Sequence, residues 1–259
     1  MFGLFKPNVK KMEKNKDIDS LLWALRNENS NVRREAAEVL GRIGDVKAVE
    51  PLIKAFVDMN EQVRHSAAEA VGRIGEPAIE PLSRALSDDM LQRQAARALG
   101  KIGSARAIEL LIRAFRTDDW GFQLLVSDVL AQTGERAVEP LIQALQHEFG
   151  SIRKGAAMGL GKIRSAKVVE PLVQALKDYD LGVKQEALSA LVEIGEPAVE
   201  LLIQAAGDSE THSSAVMALA NIADPRAFDV LTQALNDEDT ILRARVAKGL
   251  EIIKAKKSQ

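Results

Sequence analysis

The sequence predicts an all-α protein, a right-handed alpha-alpha superhelix (solenoid) of eight two-helix repeats. The first observation is a closing phrase of Leu or Val, a small residue and usually Ile, such as Leu40–Gly44 (LGRIG). Successive copies of this phrase begin 31, 28, 31, 30, 31, 28 and 31 positions apart, which indicates one supersecondary unit copied along the chain. The second observation is that apolar residues within each copy follow the helical spacing i, i+3, i+4, i+7.

The period divides the chain into one repeat domain with short ends. We expect an N-terminal capping segment at residues 1–16, the repeat domain at residues 17–254 and a C-terminal tail at residues 255–259. Each repeat needs only its neighbours for packing, so no linker is required. The expected repeats are residues 17–44, 45–75, 76–103, 104–134, 135–164, 165–195, 196–223 and 224–254.

The second repeat illustrates how each unit is expected to fold. Val46–Asp58 is predicted as the first helix, because Val49, Leu52, Ile53 and Phe56 form one apolar face. The second helix should begin after Asn60 and end at Gly75 in a left-handed cap.

Two further residue types fit this scheme. Asn or Asp is expected to cap the second helix in seven repeats, at Asn29, Asn60, Asp88, Asp119, Asp180, Asp208 and Asp239. Some prolines stand near the start of a first helix, where a missing N–H costs little: Pro77, Pro197 and Pro225. Others are expected inside the first helix, which they should bend: Pro51, Pro81, Pro140 and Pro171.

These residues carry a family resemblance. Val49–Ala55 (VEPLIKA), followed by Val63–Gly75 (VRHSAAEAVGRIG), resembles the short HEAT-like repeat named after phycobilisome lyases, which is common in bacteria and archaea. The resemblance covers roughly residues 17–254 and implies helical hairpins whose second helices line a concave face. The same repeat serves lyases, hydroxylases and binding scaffolds, so it implies a fold more strongly than a function.

The fourth repeat departs from the others on the polar stripe of its second helix. Leu124 and Leu125 occupy positions that are polar in repeats one to three, and Trp120 follows the Asp119 cap. An apolar spot with a basic rim is typical of the centre of a protein interface. The expected partner-binding site comprises Trp120, Leu124, Leu125, Asp128 and Met158, rimmed by Arg93, Arg97, Lys101 and Lys162.

Plainer interpretations of the same residues stay open. In one, the fourth repeat merely packs differently, with Trp120 and Phe122 covering a neighbouring helix, and the basic residues are solvated or paired along their helices. A cation also recurs one residue after the apolar start of the second helix, at Arg33, Arg64, Arg153, Lys184 and Arg243. We expect these cations to join capping acids of the same and adjacent repeats.

Most enzyme classes find little support in the residues. Iron hydroxylases built from this repeat need several His-Glu pairs, whereas this chain has only His65, His147 and His212. A DNA glycosylase is weakly suggested by Trp120 with Asp128, but acidic repeats oppose a DNA groove. Neither a phosphate-binding glycine loop nor a Ser-His-Asp set is present. We therefore expect no catalytic residue, no metal and no cofactor.

The resemblance also implies an alternative function, that of a phycobilin lyase-type chaperone subunit. Such a protein holds a tetrapyrrole and presents it to a cysteine of an apoprotein. Trp120, Leu124, Leu125 and Met158 would face the chromophore, with nearby Arg or Lys for its propionates.

Charge and composition complete the sequence-based prediction. The net charge is −2, made up of +4 at residues 1–16, +5 at residues 243–259 and −11 between them, which argues against a nucleic-acid track.

The chain has no cysteine, and its opening apolar stretch is too short for a signal peptide, so a cytoplasmic location is expected. Phe2, Leu4, Phe5, Val9 and Met12 are expected to cap the first repeat, the alternative being a membrane contact. The main prediction is a non-catalytic scaffold or adaptor that binds a protein or peptide partner on its concave face.

Overall fold

The computed structural model describes residues 8–257, and within that range it contains helices and turns but no strand. The predicted all-α class is therefore confirmed. The α-helices in chain order are α1 (Val9–Lys14), α2 (Ile18–Ala24), α3 (Ser30–Ile43), α4 (Val49–Lys54), α5 (Glu61–Ile74), α6 (Ile79–Ala85), α7 (Gln92–Ile102), α8 (Ala105–Arg113), α9 (Trp120–Gln132), α10 (Glu135–Ala144), α11 (Gly150–Ile163), α12 (Val169–Ala175), α13 (Leu181–Ile194), α14 (Val199–Ala205), α15 (His212–Ile222), α16 (Phe228–Gln233) and α17 (Thr240–Lys257).

After α1, the helices alternate as first and second members of eight pairs, from α2 with α3 to α16 with α17. Two compact halves emerge, an N-terminal half at Met1–Ala114 and a C-terminal half at Phe115–Gln259. In the N-terminal half α3, α5 and α7 pack side by side, and α1 packs on α2 and α3. In the C-terminal half α9, α11, α13, α15 and α17 pack in chain order. None of the helices described at residues 8–257 is long and apolar enough to cross a membrane.

Close approach of successive second helices explains the small residue in the closing phrase. A Cβ added at Gly41 would lie 2.5 Å from Ala70 Cα, and one at Gly161 would lie 2.8 Å from Ala190 Cα. Real side chains do not make such contacts with backbone atoms. Glycine here therefore sets the spacing between neighbouring repeats.

The first helices are shorter than predicted. The segment predicted as one helix, Val46–Asp58, consists of a 3₁₀ turn (Val46–Ala48), α4 and a second 3₁₀ turn (Ala55–Val57). Pro51 consequently lies in the first turn of α4, where backbone N–H groups have no acceptor within the helix, so it does not bend the helix. The same correction applies to Pro81 and Pro171, whereas Pro140 does lie inside α10.

Most predicted N-caps of second helices are confirmed by a side-chain oxygen that accepts a backbone N–H. These caps are Asn29, Asn60, Asp119, Asp180 and Asp239. The predictions for Asp88 and Asp208 are wrong, because α7 and α15 begin later, at Gln92 and His212. Asp88 instead accepts the Met90 N–H at 2.8 Å, which stabilises a separate turn before α7.

The end of α5 also differs from the prediction. Gly75 has φ 84° and ψ −142°, so φ is positive but the conformation is not left-handed helical. This extended ψ leads the chain directly into the 3₁₀ turn Glu76–Ala78, which has no side-chain cap. At the amino end, Val9 is buried and Glu13 pairs with Arg42 at 2.7 Å, while Phe2, Leu4 and Phe5 lie outside the described residues.

The four recurring arginines bind the turn at the start of their own second helix, and Arg33 and Arg153 also bind the following repeat. Arg33 donates to the backbone oxygen of Asn27 at 2.8 Å and pairs with Asp58 at 2.7 Å. Arg153 repeats both contacts, with His147 and Asp178. The partner acids lie two residues before the next cap and are not the caps themselves, which refines the prediction.

Candidate functional site

A groove of about 660 Å³ lies at the C-terminal ends of α9, α11 and α13, within the C-terminal half. The groove is shallow and open to solvent. The lining residues are Asp128, Ala131, Gln132, Lys162, Arg164 and Glu193.

Helical spacing places these side chains together. On α9, Leu124, Asp128 and Gln132 are four residues apart and therefore share one face. The start of α9 is fixed by Asp119, whose carboxylate accepts the Phe122 N–H at 2.9 Å. Because α9, α11 and α13 pack in order, Lys162 and Glu193 at the ends of the next two second helices complete the groove.

The groove is polar and its charges are only partly paired. The Lys162 ammonium, which is 23% exposed, pairs with the Asp128 carboxylate. Arg164 is exposed and forms no ion pair among residues 8–257, and the same holds for Glu193. One cation and one carboxylate are thus available to a ligand.

The apolar residues predicted for the site lie beside this groove. Leu124 and Leu125 are half-buried on the same part of α9, and Trp120, its first residue, is 58% exposed. Met158 is only 8% exposed and so offers little surface to a ligand. Phe122 is 1% exposed in the core, whereas Trp120 keeps most of its surface open, and the choice between a binding site and altered packing stays a prediction.

The predicted basic rim is divided between the two halves. Lys162 belongs to the groove, while Arg93, Arg97 and Lys101 lie on α7 in the N-terminal half. Lys101 pairs there with Glu69 at 3.1 Å. The structure therefore brings Asp128 and Lys162 together, with Leu124 one turn before Asp128 on α9, and the role of the α7 residues stays a prediction.

Three residues of this region were not predicted from the sequence. Arg164 and Glu193 line the groove, and Glu186 lies two turns before Glu193 on α13. Burial raises the pKa of the Glu186 carboxyl, against the opposing effect of the Lys154 charge, and the charge of Glu193 raises it further. One of the three could have been found from the sequence, because Arg164 replaces the glycine that ends most closing phrases.

The part of the chain that the structure describes contains no set of side chains suited to bind a metal ion. No three His, Asp or Glu side chains between residues 8 and 257 converge to hold an ion. What the groove offers is a guanidinium, carboxylates, an ammonium and a neighbouring apolar strip, which suits an organic ligand with both acidic and N–H groups.

The family of HEAT repeats matches this chain at residues 18–90, 49–131, 79–146, 138–213 and 199–259. The chain therefore belongs to the HEAT-repeat family, and its repeats are of the phycobilisome-lyase HEAT-like type, as the sequence predicted. Similar proteins include the bilin biosynthesis protein PecF of Mastigocladus laminosus, 30% identical over 68% of this chain and 78% of PecF. An uncharacterised phycocyanin operon protein Z of Pseudanabaena tenuis is 31% identical over 52% of this chain and 72% of that protein.

A similar solved structure is the complex of CpcE and CpcF of phycocyanin lyase from Nostoc sp.. It is 22% identical, covers 91% of this chain and 94% of that chain, and has a TM-score of 0.37.

The prediction of a non-catalytic, non-enzymatic scaffold is wrong. The finding that overturns it is the similarity to a protein named for bilin biosynthesis across most of that protein's length. The physical reason for the error is that the repeated residues serve packing and capping, which scaffolds and bilin proteins of this family share.

Proposed function

We propose that this protein acts in bilin attachment as a lyase-type subunit, holding a linear tetrapyrrole and delivering it to a cysteine of an apoprotein. The observation that carries this proposal is the 30% identity to the bilin biosynthesis protein PecF over 78% of its length. A protein partner, the bilin acceptor, follows from the same proposal.

The chemistry of the groove supports a tetrapyrrole ligand. A linear tetrapyrrole combines apolar rings with pyrrole N–H donors and two propionate carboxylates. Arg164 supplies a cation for a carboxylate, and Glu193 supplies an acceptor for N–H groups. Leu124 and Leu125, half-buried on α9, would lie against the rings.

Glu186 adds a possible proton-holding group. Its carboxyl lies on the face of α13 that leads to Glu193, and burial raises its pKa. A carboxyl that keeps its proton to higher pH is suited to share a proton with a basic pyrrole nitrogen. We assign it a supporting role from its place two turns before Glu193 on α13.

The experiment that tests the binding step is a spectroscopic titration with biliverdin. Binding should shift and sharpen the visible absorption band and induce circular dichroism. The Leu124→Glu and Leu125→Glu double variant should weaken these changes. A matched control is Ile241→Glu, because Ile241 is an apolar residue 73% exposed at the start of α17, remote from the groove. An unchanged spectrum with the wild-type protein would contradict the proposal.

The delivery step is tested with a cysteine-containing phycobiliprotein apoprotein and a bilin. This chain has no cysteine, so any thioether-linked bilin must reside on the acceptor. Covalent bilin is measured by zinc-enhanced fluorescence on a denaturing gel. We expect faster attachment in the presence of this protein, together with any second subunit that it requires.

A further inference from the structure

Arg164 ends α11 in the left-handed backbone conformation, which Gly44 and Gly103 adopt at the ends of α3 and α7 and Ala223 adopts at the end of α15. Its φ is 56° and its ψ is 30°, which is left-handed. The equivalent residue in the other repeats up to the seventh is small: Gly44, Gly75, Gly103, Gly134, Gly195 and Ala223. A side chain with a Cβ destabilises this conformation relative to glycine. The fifth repeat therefore keeps an arginine where its own fold favours glycine.

Within residues 8–257, the contacts of the Arg164 side chain do not offset the strain of its backbone conformation. Its side chain is exposed and forms no ion pair among residues 8–257, although the Glu193 carboxylate lines the same groove. The other cation of the groove, Lys162, is already paired with Asp128. Lys16 is also an exposed cation with a positive φ but does not line this groove, so it is the place of Arg164 beside Glu193, together with its strained backbone, that points to a ligand.

We propose that Arg164 is the carboxylate-binding residue of the groove, and that the group it binds is a propionate of the tetrapyrrole. This inference rests on the proposed function and adds a specific anchor to it. A guanidinium presents two parallel N–H donors that match the two oxygens of a carboxylate. Because the backbone fixes where α11 ends, Arg164 would set how far the ligand extends along the groove.

The test compares biliverdin with its dimethyl ester, in which both carboxylates are blocked, by titration at low salt. The wild-type protein should bind the free acid more tightly than the ester. Arg164→Gly should weaken binding of the acid about tenfold and leave the ester unaffected. Arg164→Lys should fall between them, because it keeps the charge without the paired donors.

Lys16→Gly is the matched control. Lys16 is an exposed cation with φ 50°, so this substitution removes the same charge from the same backbone region. Both glycine variants should raise the melting temperature by about 2–4 °C, since each relieves strain. Only Arg164→Gly should lose affinity.

The outcomes separate this inference from the proposed function. If the wild-type protein binds acid and ester equally, or if Arg164→Gly keeps the preference for the acid, Arg164 is not the anchor although a tetrapyrrole still binds. If the wild-type protein binds neither compound, the proposed function fails together with the anchor.

Discussion

Arg153 and Asp178 form a two-pronged ion pair that joins the fifth and sixth repeats, with Nε 2.6 Å from Oδ2 and Nη2 2.9 Å from Oδ1. The two side chains are only 4% and 9% exposed. Nη1 also donates to the backbone oxygen of His147 at 2.8 Å, and the guanidinium lies 4.4 Å from the centre of the Tyr179 ring. Phe149 gives this repeat no side-chain cap, but Arg153 still binds the turn before α11, as Arg33 and Arg64 do in repeats with a cap.

Removing one member of this pair should be costly. Asp178→Ala leaves a buried guanidinium without its partner, and we expect a loss of about 3–5 kcal/mol in unfolding free energy. The control is Glu50→Ala, since the Glu50–Arg84 pair is 59% and 62% exposed and should contribute less than about 1 kcal/mol. Urea denaturation of both variants measures the difference. Equal losses would show that the Arg153–Asp178 pair is no more important than a surface pair.

Lowering the pH should destabilise the fold, because it protonates aspartates that form Arg–Asp ion pairs between successive repeats. Hydrogen bonds from Arg33 lower the pKa of Asp58, and burial, the opposing effect, is smaller. For Asp178, burial raises the pKa of the carboxyl. The hydrogen bonds from the Arg153 guanidinium and the Asp180 N–H, together with the Arg153 charge, have the larger, opposite effect, so the pKa lies below its ordinary value. An unfolded aspartate has a pKa of about 3.9, so the unfolded chain takes up these protons first as pH falls.

The contribution of these two carboxylates is therefore complete above about pH 5 and is lost as the pH falls below about 4. Urea unfolding between pH 7 and pH 3 should show this decline. Asp58→Asn should be less stable than wild type at pH 7 and should lose less stability on acidification. A variant curve parallel to that of the wild type would exclude Asp58 as a source of the pH dependence.

His212 takes the position of the recurring cation in the seventh repeat. Its Nδ1 lies 2.6 Å from the Ala206 carbonyl oxygen and its Nε2 3.1 Å from Asp237 Oδ2. Both ring nitrogens face acceptors, so both contacts are hydrogen bonds only when the ring carries two protons. Arginine carries a fixed set of N–H donors at this position in the other repeats that have it.

His212→Arg should therefore stabilise the protein, because a guanidinium supplies several N–H donors and can serve both acceptors. Melting temperatures test this, with His65→Arg as a control at an exposed histidine for which the structure gives no ion pair. An equal gain from both substitutions would contradict the role assigned to the contacts of residue 212.

Gly155 should tolerate no larger residue, for a reason specific to the fifth repeat. A Cβ at this position would lie 2.2 Å from the Phe115 ring, which is fully buried. We expect Gly155→Ala to cost about 1–3 kcal/mol by overpacking. Adding Phe115→Leu should recover part of the loss in a double-mutant cycle measured by urea denaturation. Additive losses would mean that the two residues do not compete for space.

Whether a feature could be predicted from the sequence depends on how far along the chain the contacts of its residues reach. The closing phrase predicted the repeats because its glycines and apolar residues obey rules that act within one repeat and its neighbour. The prolines were misplaced because Pro51 lies inside a helical pattern but at the first turn of a shorter helix. Asp88 was misassigned because an acid that caps a turn looks the same in sequence as one that caps a helix.

The sequence by itself determined the all-α class, the eight pairs of helices and the type of repeat, because local periodicity and short-range packing fix them. Tertiary structure decided which polar residues meet: Lys162 pairs with Asp128, 34 residues earlier, and Arg164 remains unpaired among residues 8–257 beside Glu193. These relationships depend on how α9, α11 and α13 lie against one another. No spacing along the chain encodes them directly, which is why the groove became visible only in the folded protein.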